Sequence, residues 1–217
     1  MDSIILASAS PRRRELLSQI GIEFEVIPSK KEEVVTSTNP SRIVMELAKQ
    51  KAEDIVLQLN IPGKLVLGAD TIVSWKGKVM GKPVDEVDAF SMISKLQDST
   101  HQVFTGVSIS VLKEDGTIYS HVFNEETDVY VYPMTEEEIW NYIRTKSFSN
   151  NSKVSKWDAS REPYECEDKA GAYGIQGPFA AYIQGIQGDY NNVVGLPTGR
   201  VYQELKKLKN ILKSFDK

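Results

Sequence analysis

Residues 4–21 read Ile-Ile-Leu-Ala-Ser-Ala-Ser-Pro-Arg-Arg-Arg-Glu-Leu-Leu-Ser-Gln-Ile-Gly. The apolar run Ile4–Ala7 has the length and character of a buried strand. Ser10 stands where a helix N-cap belongs, and Pro11 brings a φ already suited to the first helical position. Leu16, Leu17 and Ile20 form an apolar stripe, and Gly21 ends the helix. A strand running directly into a helix is the building unit of an α/β fold.

Working outward, Phe24–Ile27 is the next expected strand, and a polar stretch from Ser29 to Pro40 leads to an amphipathic helix over Ser41–Leu59. Its stripe is Ile43, Val44, Leu47, Ala48, Ala52, Ile55, Val56 and Leu59. Leu65–Ala69 reads as a second buried strand ending at Asp70. Ile72–Trp75 and Lys78–Met80 form a hairpin about Lys76-Gly77. Asp85 caps a helix carrying Ala89, Phe90, Ile93 and Leu96. Gln102–Leu112 and Ile118–Tyr132 alternate as strands about the turn Glu114-Asp115-Gly116. Thr135 and Glu138 make a capping box for a helix reaching Thr145. Residues 147–167 are rich in Ser, Lys and Asn and read as an exposed loop. Ala172–Gly177 is a small-residue loop, Ala180–Gln187 a strand, and Thr198 opens a last helix with Val201, Leu205, Leu208 and Leu212 inside. Strands and helices alternate first and antiparallel pairs follow, so a mixed sheet in one α/β domain over residues 1–217 is expected.

The chain has 217 residues and a mass of 24.3 kDa. Such a chain exposes roughly 10,000 Å² folded against about 35,000 Å² unfolded, enough for a core without staples. With 41% hydrophobic and 26% charged residues, it falls outside the disordered and coiled-coil classes. A single cysteine, Cys166, excludes an intrachain disulfide and a multi-cysteine zinc site. Two histidines, His101 and His121, argue against a histidine-rich metal site, so oxygen ligands are expected for any metal. The balance of 26 basic and 30 acidic residues, net −4, disfavours a nucleic-acid partner. No apolar run approaches the ~20 residues of a membrane span. Met1-Asp2-Ser3-Ile4 lacks the basic and apolar regions of a signal peptide. A cytoplasmic protein without membrane or nucleic-acid partner is the expectation.

Four features carry chemistry. Arg12, Arg13 and Arg14 sit in a first helical turn, where the macrodipole disfavours cations and backbone N–H groups favour anions. They suit a held polyanion such as a phosphate chain, with Ser8 in the same element, or else form a solvated basic patch. Lys51 shares the apolar face of its helix with Leu47 and Ile55, so it either snorkels to solvent or points into a cleft. Asp70, in Gly68-Ala69-Asp70-Thr71, stands where an apolar strand ends, a place for a general base or metal ligand in open α/β sheets or for a turn-forming Asp. Lys82, in Gly81-Lys82-Pro83, adds a cation, and Glu32-Glu33 is either an exposed charge run or the source of a second carboxylate. Last, Lys169–Gly177 reads Lys-Ala-Gly-Ala-Tyr-Gly-Ile-Gln-Gly, where glycines permit close backbone approach and Gln176 can bond a base. It is neither a dinucleotide fingerprint nor a P-loop. Together these suit a nucleoside triphosphate with a divalent ion.

The sequence resembles the Maf family of nucleoside triphosphate pyrophosphatases. The stretches that carry the likeness are LASASPRRRELL at 6–17, LAKQKA at 47–52, GADTIV at 68–73, GKP at 81–83, FTGV at 104–107, DKAGAYGIQG at 168–177 and VVGLP at 193–197. Within the family it is most similar to the branch acting on dTTP and UTP, through Arg12, Thr71 and Gln176. The resemblance implies a two-lobed mixed α/β fold, its sheet flanked by helices and a nucleotide cleft between the lobes. It implies hydrolysis between the α- and β-phosphates, dependence on Mg²⁺ or Mn²⁺, and in many members a homodimer. It makes Asp70 and Lys82 catalytic, and Ser8, Arg12, Arg13, Lys51, Thr71 and Gln176 substrate-binding. Glu33 and Asp70 would hold the metal, with Asp70 as base, ligand or both. The chain departs from the family at 147–167, which reads as a surface insertion, and at Glu32-Glu33, where the family often has Asp-Glu. Two other functions compete: the branch acting on 7-methyl-GTP or other modified purine nucleotides, and a non-catalytic nucleotide sensor.

Overall fold

The computed structural model describes residues 3–146, 155–158, 160 and 162–215. The elements in chain order are β1 (Ile4–Leu6), α1 (Pro11–Gln19), β2 (Phe24–Val26), α2 (Pro40–Leu59), β3 (Val66–Trp75), β4 (Lys78–Met80), α3 (Glu86–Leu96), β5 (Thr100–Leu112), β6 (Ile118–Val131), α4 (Glu136–Ile143), β7 (Ile183–Gln187), α5 (Tyr190–Val194) and α6 (Thr198–Phe215). They form a mixed α/β fold around a seven-stranded sheet of order β2-β1-β3-β5-β6-β7, with β4 paired to β3. β1 runs parallel to both β2 and β3, which explains why its three apolar residues are all buried. β4 pairs antiparallel with β3, and β7 with β6. Among the described residues no helix is long and apolar enough to cross a membrane.

Two compact units divide the chain. One holds residues up to Asp70, Thr105–Glu125 and the chain from Gly195. The other holds Thr71–Phe104 and Glu126–Val194. In the first, Asn39 caps α2 by accepting from the Arg42 N–H at 3.1 Å, with Pro40 at the helix start. The buried face of α2 is the predicted stripe, from Ile43 to Val56. Two glycines let this helix lie close on the sheet. A Cβ on Gly68 of β3 would fall 2.3 Å from the Ala48 carbonyl oxygen, and one on Gly106 of β5 would fall 2.1 Å from that of Val44. This close seating brings Lys51 of α2 over Asp70 of β3.

Several boundaries differ from the sequence reading. Asp70 does not end a strand: β3 continues to Trp75, because the residues after it pair with β4 and extend the same strand. Ser10 takes the N-cap position of α1 but makes no side-chain cap bond, and Pro11 alone presets the start. Residues 178–182 form a 3₁₀ turn begun by Pro178, so the strand expected from Ala180 starts at Ile183. Asp85 and the Thr135/Glu138 capping box act as predicted. The side chain of Leu212 lies outside the described residues.

In the second unit, Phe90 of α3 stacks on Trp140 of α4 with centroids 4.7 Å apart. Tyr142, Tyr173 and Phe179 form a buried aromatic cluster. The stretch expected to be an exposed loop is buried in part where it is described, with Lys156, Asp158, Ser160 and Glu162 exposed. Ser155, Pro163, Glu165, Cys166 and Glu167 are all interior, because Glu167 is a hub for polar groups that the composition alone makes look solvated. Its carboxylate accepts from the Ser155 hydroxyl at 2.8 Å and from the Lys156 and Tyr164 N–H groups at 2.9 Å each. Residues 147–154, 159 and 161 of that expected loop lie outside the described residues.

Candidate active site

The candidate site is built on the first unit from α1 and the loop before it, α2 and the loop before it, and β3. The loop after β1 contributes Ser8, which is buried; its hydroxyl accepts from the Arg13 guanidinium at 3.0 Å and from the Ser10 N–H at 3.3 Å. Arg13 also donates from Nε to the Gly195 carbonyl at 2.9 Å. Its fork is therefore fixed at two points, and the cation sits in the first turn of α1, against the helix dipole. Burial lowers the Arg13 pKa most; Asp70 raises it, Arg12 lowers it and Glu33 raises it. Arginine nevertheless stays protonated, so the site keeps a positive charge.

Lys51 decides between the two readings of its helix position. Its ammonium donates to Asp70 Oδ1 at 2.5 Å and pairs with Glu33 Oε1 at 2.8 Å. It does not snorkel away from the body. The Lys51 and Asp70 side chains are mostly buried, whereas that of Glu33 is half-exposed. An ammonium has three N–H donors, and two of Lys51's are used among the described residues.

Gln50 was not singled out by sequence reasoning, yet it sets the place of Glu33. Its side-chain oxygen accepts from the Val34 N–H at 3.0 Å, and its amide donates to the Val34 carbonyl at 2.6 Å. Thr36, two residues beyond Val34, donates its N–H and hydroxyl to Glu46, one turn before Gln50 on α2. The loop bearing Glu33 is thus docked on α2 next to Lys51. The only sequence signal was a glutamine and a glutamate on the outer face of a helix, a pattern that solvated faces share.

Ser8, Arg13, Glu33, Lys51 and Asp70 are thus brought together, and Arg12 is half-buried in α1, near enough to act on Arg13. Thr71, Lys82 and Gln176 belong to the second unit. Thr71 follows Asp70 in β3, and Lys82 is exposed between β4 and α3. Gln176 is exposed in a turn that has a different basis from the one its glycines suggest. A Cβ on Gly174 would lie 2.7 Å from Lys169 Cε, and one on Gly177 would lie 3.2 Å from a Glu165 carboxylate oxygen. The close approach those glycines permit is to the protein's own side chains.

The family model for Maf-like protein matches residues 3–208. The chain belongs to the Maf family. It is 49% identical over 219 residues to a dTTP/UTP pyrophosphatase of Agathobacter rectalis, covering 96% of this chain and 98% of that protein. A dTTP/UTP pyrophosphatase of Lachnoclostridium phytofermentans is 44% identical over 207 residues, covering 95% of each chain. One of Carboxydothermus hydrogenoformans is 43% identical over 203 residues, covering 94% of this chain and 97% of that one.

Proposed function

We propose that this protein hydrolyses dTTP and UTP to the nucleoside monophosphate and pyrophosphate. The observation that carries this reading is Lys51 held between Glu33 and Asp70, with the anchored Arg13 guanidinium within their electrostatic reach. That cluster occurs in a chain 43–49% identical to proteins named for this activity.

Asp70 and Glu33 reach the same ammonium, so their oxygens come close to one point, and hard oxygen donors suit Mg²⁺ or Mn²⁺. Among the described residues no group of three or more His, Cys, Asp and Glu gathers. That fits an ion held by one or two carboxylates, with phosphate oxygens and water completing its shell. When bound, such an ion supplies Lewis-acid charge at the phosphate oxygens and lowers the pKa of a water.

Asp70 Oδ1 is engaged by Lys51, and Oδ2 accepts the proton of the attacking water. The water oxygen bonds to the α-phosphorus, and the bond from that phosphorus to the pyrophosphate oxygen breaks. Arg13, Lys51 and Lys82 offset the negative charge that grows on the phosphates, the largest class of catalytic term. Ser8 serves substrate binding through Arg13, whose fork it holds. Arg12, Thr71 and Gln176 select the nucleotide. Gln176 offers an acceptor and a donor together, which match the N3–H and carbonyl edge of thymine or uracil. Cytosine lacks that N3–H. Sites built to bond a group reject analogues without it by large factors.

The test is a panel of natural and modified triphosphates with identification of both products. dTTP and UTP should be preferred over CTP, ATP and GTP, with pyrophosphate released. Equal turnover of all five would remove Gln176 as a base reader, and preference for 7-methyl-GTP would replace the pyrimidine reading.

A further inference from the structure

We infer that Trp157 is a positioning residue for Lys82, and that the segment around it serves the reaction by holding the Gly81-Lys82-Pro83 turn. The inference rests on the phosphate-neutralising role proposed above for Lys82. Both neighbours of Lys82 have their carbonyls tied down. The Gly171 N–H donates to the Gly81 carbonyl at 3.0 Å, and the Trp157 indole N–H donates to the Pro83 carbonyl at 3.2 Å. Pro83 is buried while Lys82 itself is exposed. An exposed lysine therefore springs from a backbone fixed on either side.

Trp157 is itself fixed. Its N–H donates to Ser155 Oγ at 3.1 Å, and that hydroxyl donates to the buried Glu167 carboxylate. Its ring meets Tyr164 edge-on at 6.2 Å, and Tyr164 donates its N–H to the same carboxylate. One buried carboxylate thus organises the partners that aim the indole. A lysine side chain loses much rotamer freedom when it engages a ligand. Fixing its backbone beforehand removes part of the remaining positioning cost from the bound state.

The experiment measures pyrophosphate release from dTTP with Mg²⁺, under single turnover so that slow variants are readable. Wild type, Trp157→Phe, Lys82→Ala and the double variant are compared. Trp157→Phe keeps an aromatic ring and removes the indole donor. Loss of one hydrogen bond corresponds to about a three- to tenfold fall in rate. That fall should appear in the wild-type background, with an unchanged melting temperature, and vanish in the Lys82→Ala background, as coupling between the two requires. Ser155→Ala, which loosens the support without touching the ring, should give a smaller fall with the same dependence on Lys82, and it carries the test should Trp157→Phe not fold. An equal fall in both backgrounds would make Trp157 merely structural and overturn the inference. So would a wild-type rate for Trp157→Phe while Lys82→Ala is slow. A wild-type rate for Lys82→Ala would instead remove the role proposed for Lys82 and this inference with it.

Discussion

Lys51 and Lys169 each sit between two carboxylates, Glu33 and Asp70 in one unit, Glu165 and Asp168 in the other. Their burial is similar, and so is the half-exposure of one carboxylate in each group. What differs is where the N–H donors go. Lys169 uses all three: one on the Glu165 carboxylate, one on Asp168, and one on the Glu165 backbone carbonyl. Its partners lie within four residues in sequence, and its stem fills the space a Gly174 side chain would take. Lys51 draws its carboxylates from a loop and a strand remote in sequence, and only two of its three donors are used among the described residues. Counting charges would rate the two alike. Tracing donors separates a closed structural knot from a group left open among the described residues.

The largest expected effect breaks the open group. Asp70→Asn keeps the shape but cannot accept a proton, so kcat should fall about 10²–10⁴-fold, the range of general acid–base catalysis. Its melting temperature should stay near wild type; turnover of dTTP within a few-fold of wild type would show the base to be elsewhere.

Paired lysine variants address the contrast itself. Lys169→Met strands the buried Glu165 without its counter-charge, which should cost about 3–5 kcal/mol in chemical unfolding. Lys51→Met leaves Asp70 and the half-exposed Glu33 within reach of the Arg13 charge, so it should cost less in the same assay while lowering kcat strongly. If both variants lost stability equally with similar kinetics, the distinction by donors would be wrong.

The second unit stores one more ionisable group away from chemistry. His101 is fully buried, bonded through Nε2 to the Tyr173 hydroxyl at 2.7 Å. Burial pushes its pKa down to about 4, partly opposed by Asp128. Since the unfolded value is higher, near 6.5, the unfolded chain binds the proton first as pH falls. The contribution present above pH 6.5 is therefore lost progressively down to pH 4, by about 3 kcal/mol in all. His101→Gln, which can still bond Tyr173, should flatten that part of the stability–pH curve. An unchanged curve would assign the acid sensitivity to other groups.

Much of this was legible from residue pattern because local rules and tertiary packing agree. The α2 stripe, the Asp85 cap and the Thr135/Glu138 box each have a period or spacing of their own. Asp70 and Lys51 stood out as charges placed against an apolar strand and stripe. The passage of β3 through Asp70 was not visible, because pairing with β4 is a tertiary matter. The burial of Ser155, Pro163, Glu165, Cys166 and Glu167 was hidden for a related reason: Glu167 gathers Ser155, Lys156 and Tyr164 through hydrogen bonds that leave no hydrophobic period. Glycines 174 and 177 carry a visible signal of close approach, but residue type does not show what approaches, which here is the Lys169 stem and the Glu165 carboxylate.

The smallest expected effect tests how the open group is kept in place. Gln50 is half-buried on α2, and both its bonds go to the Val34 backbone, one residue beyond Glu33. Two exposed hydrogen bonds sum to about 1 kcal/mol net, or roughly a fivefold change in an equilibrium. Gln50→Ala frees the loop without touching Asp70 or Lys51, so its cost should fall on the step in which Glu33 takes part. The Mg²⁺ concentration for half-maximal activity should rise about fivefold, while kcat at saturating Mg²⁺ stays near wild type. Glu33→Gln should shift that concentration further in the same direction. A fall in kcat at saturating Mg²⁺ with unchanged half-activation would mean that Gln50 supports Lys51 along the helix and not Glu33 across the loop. Unchanged values of both would leave the Glu46–Thr36 contacts sufficient to dock the loop.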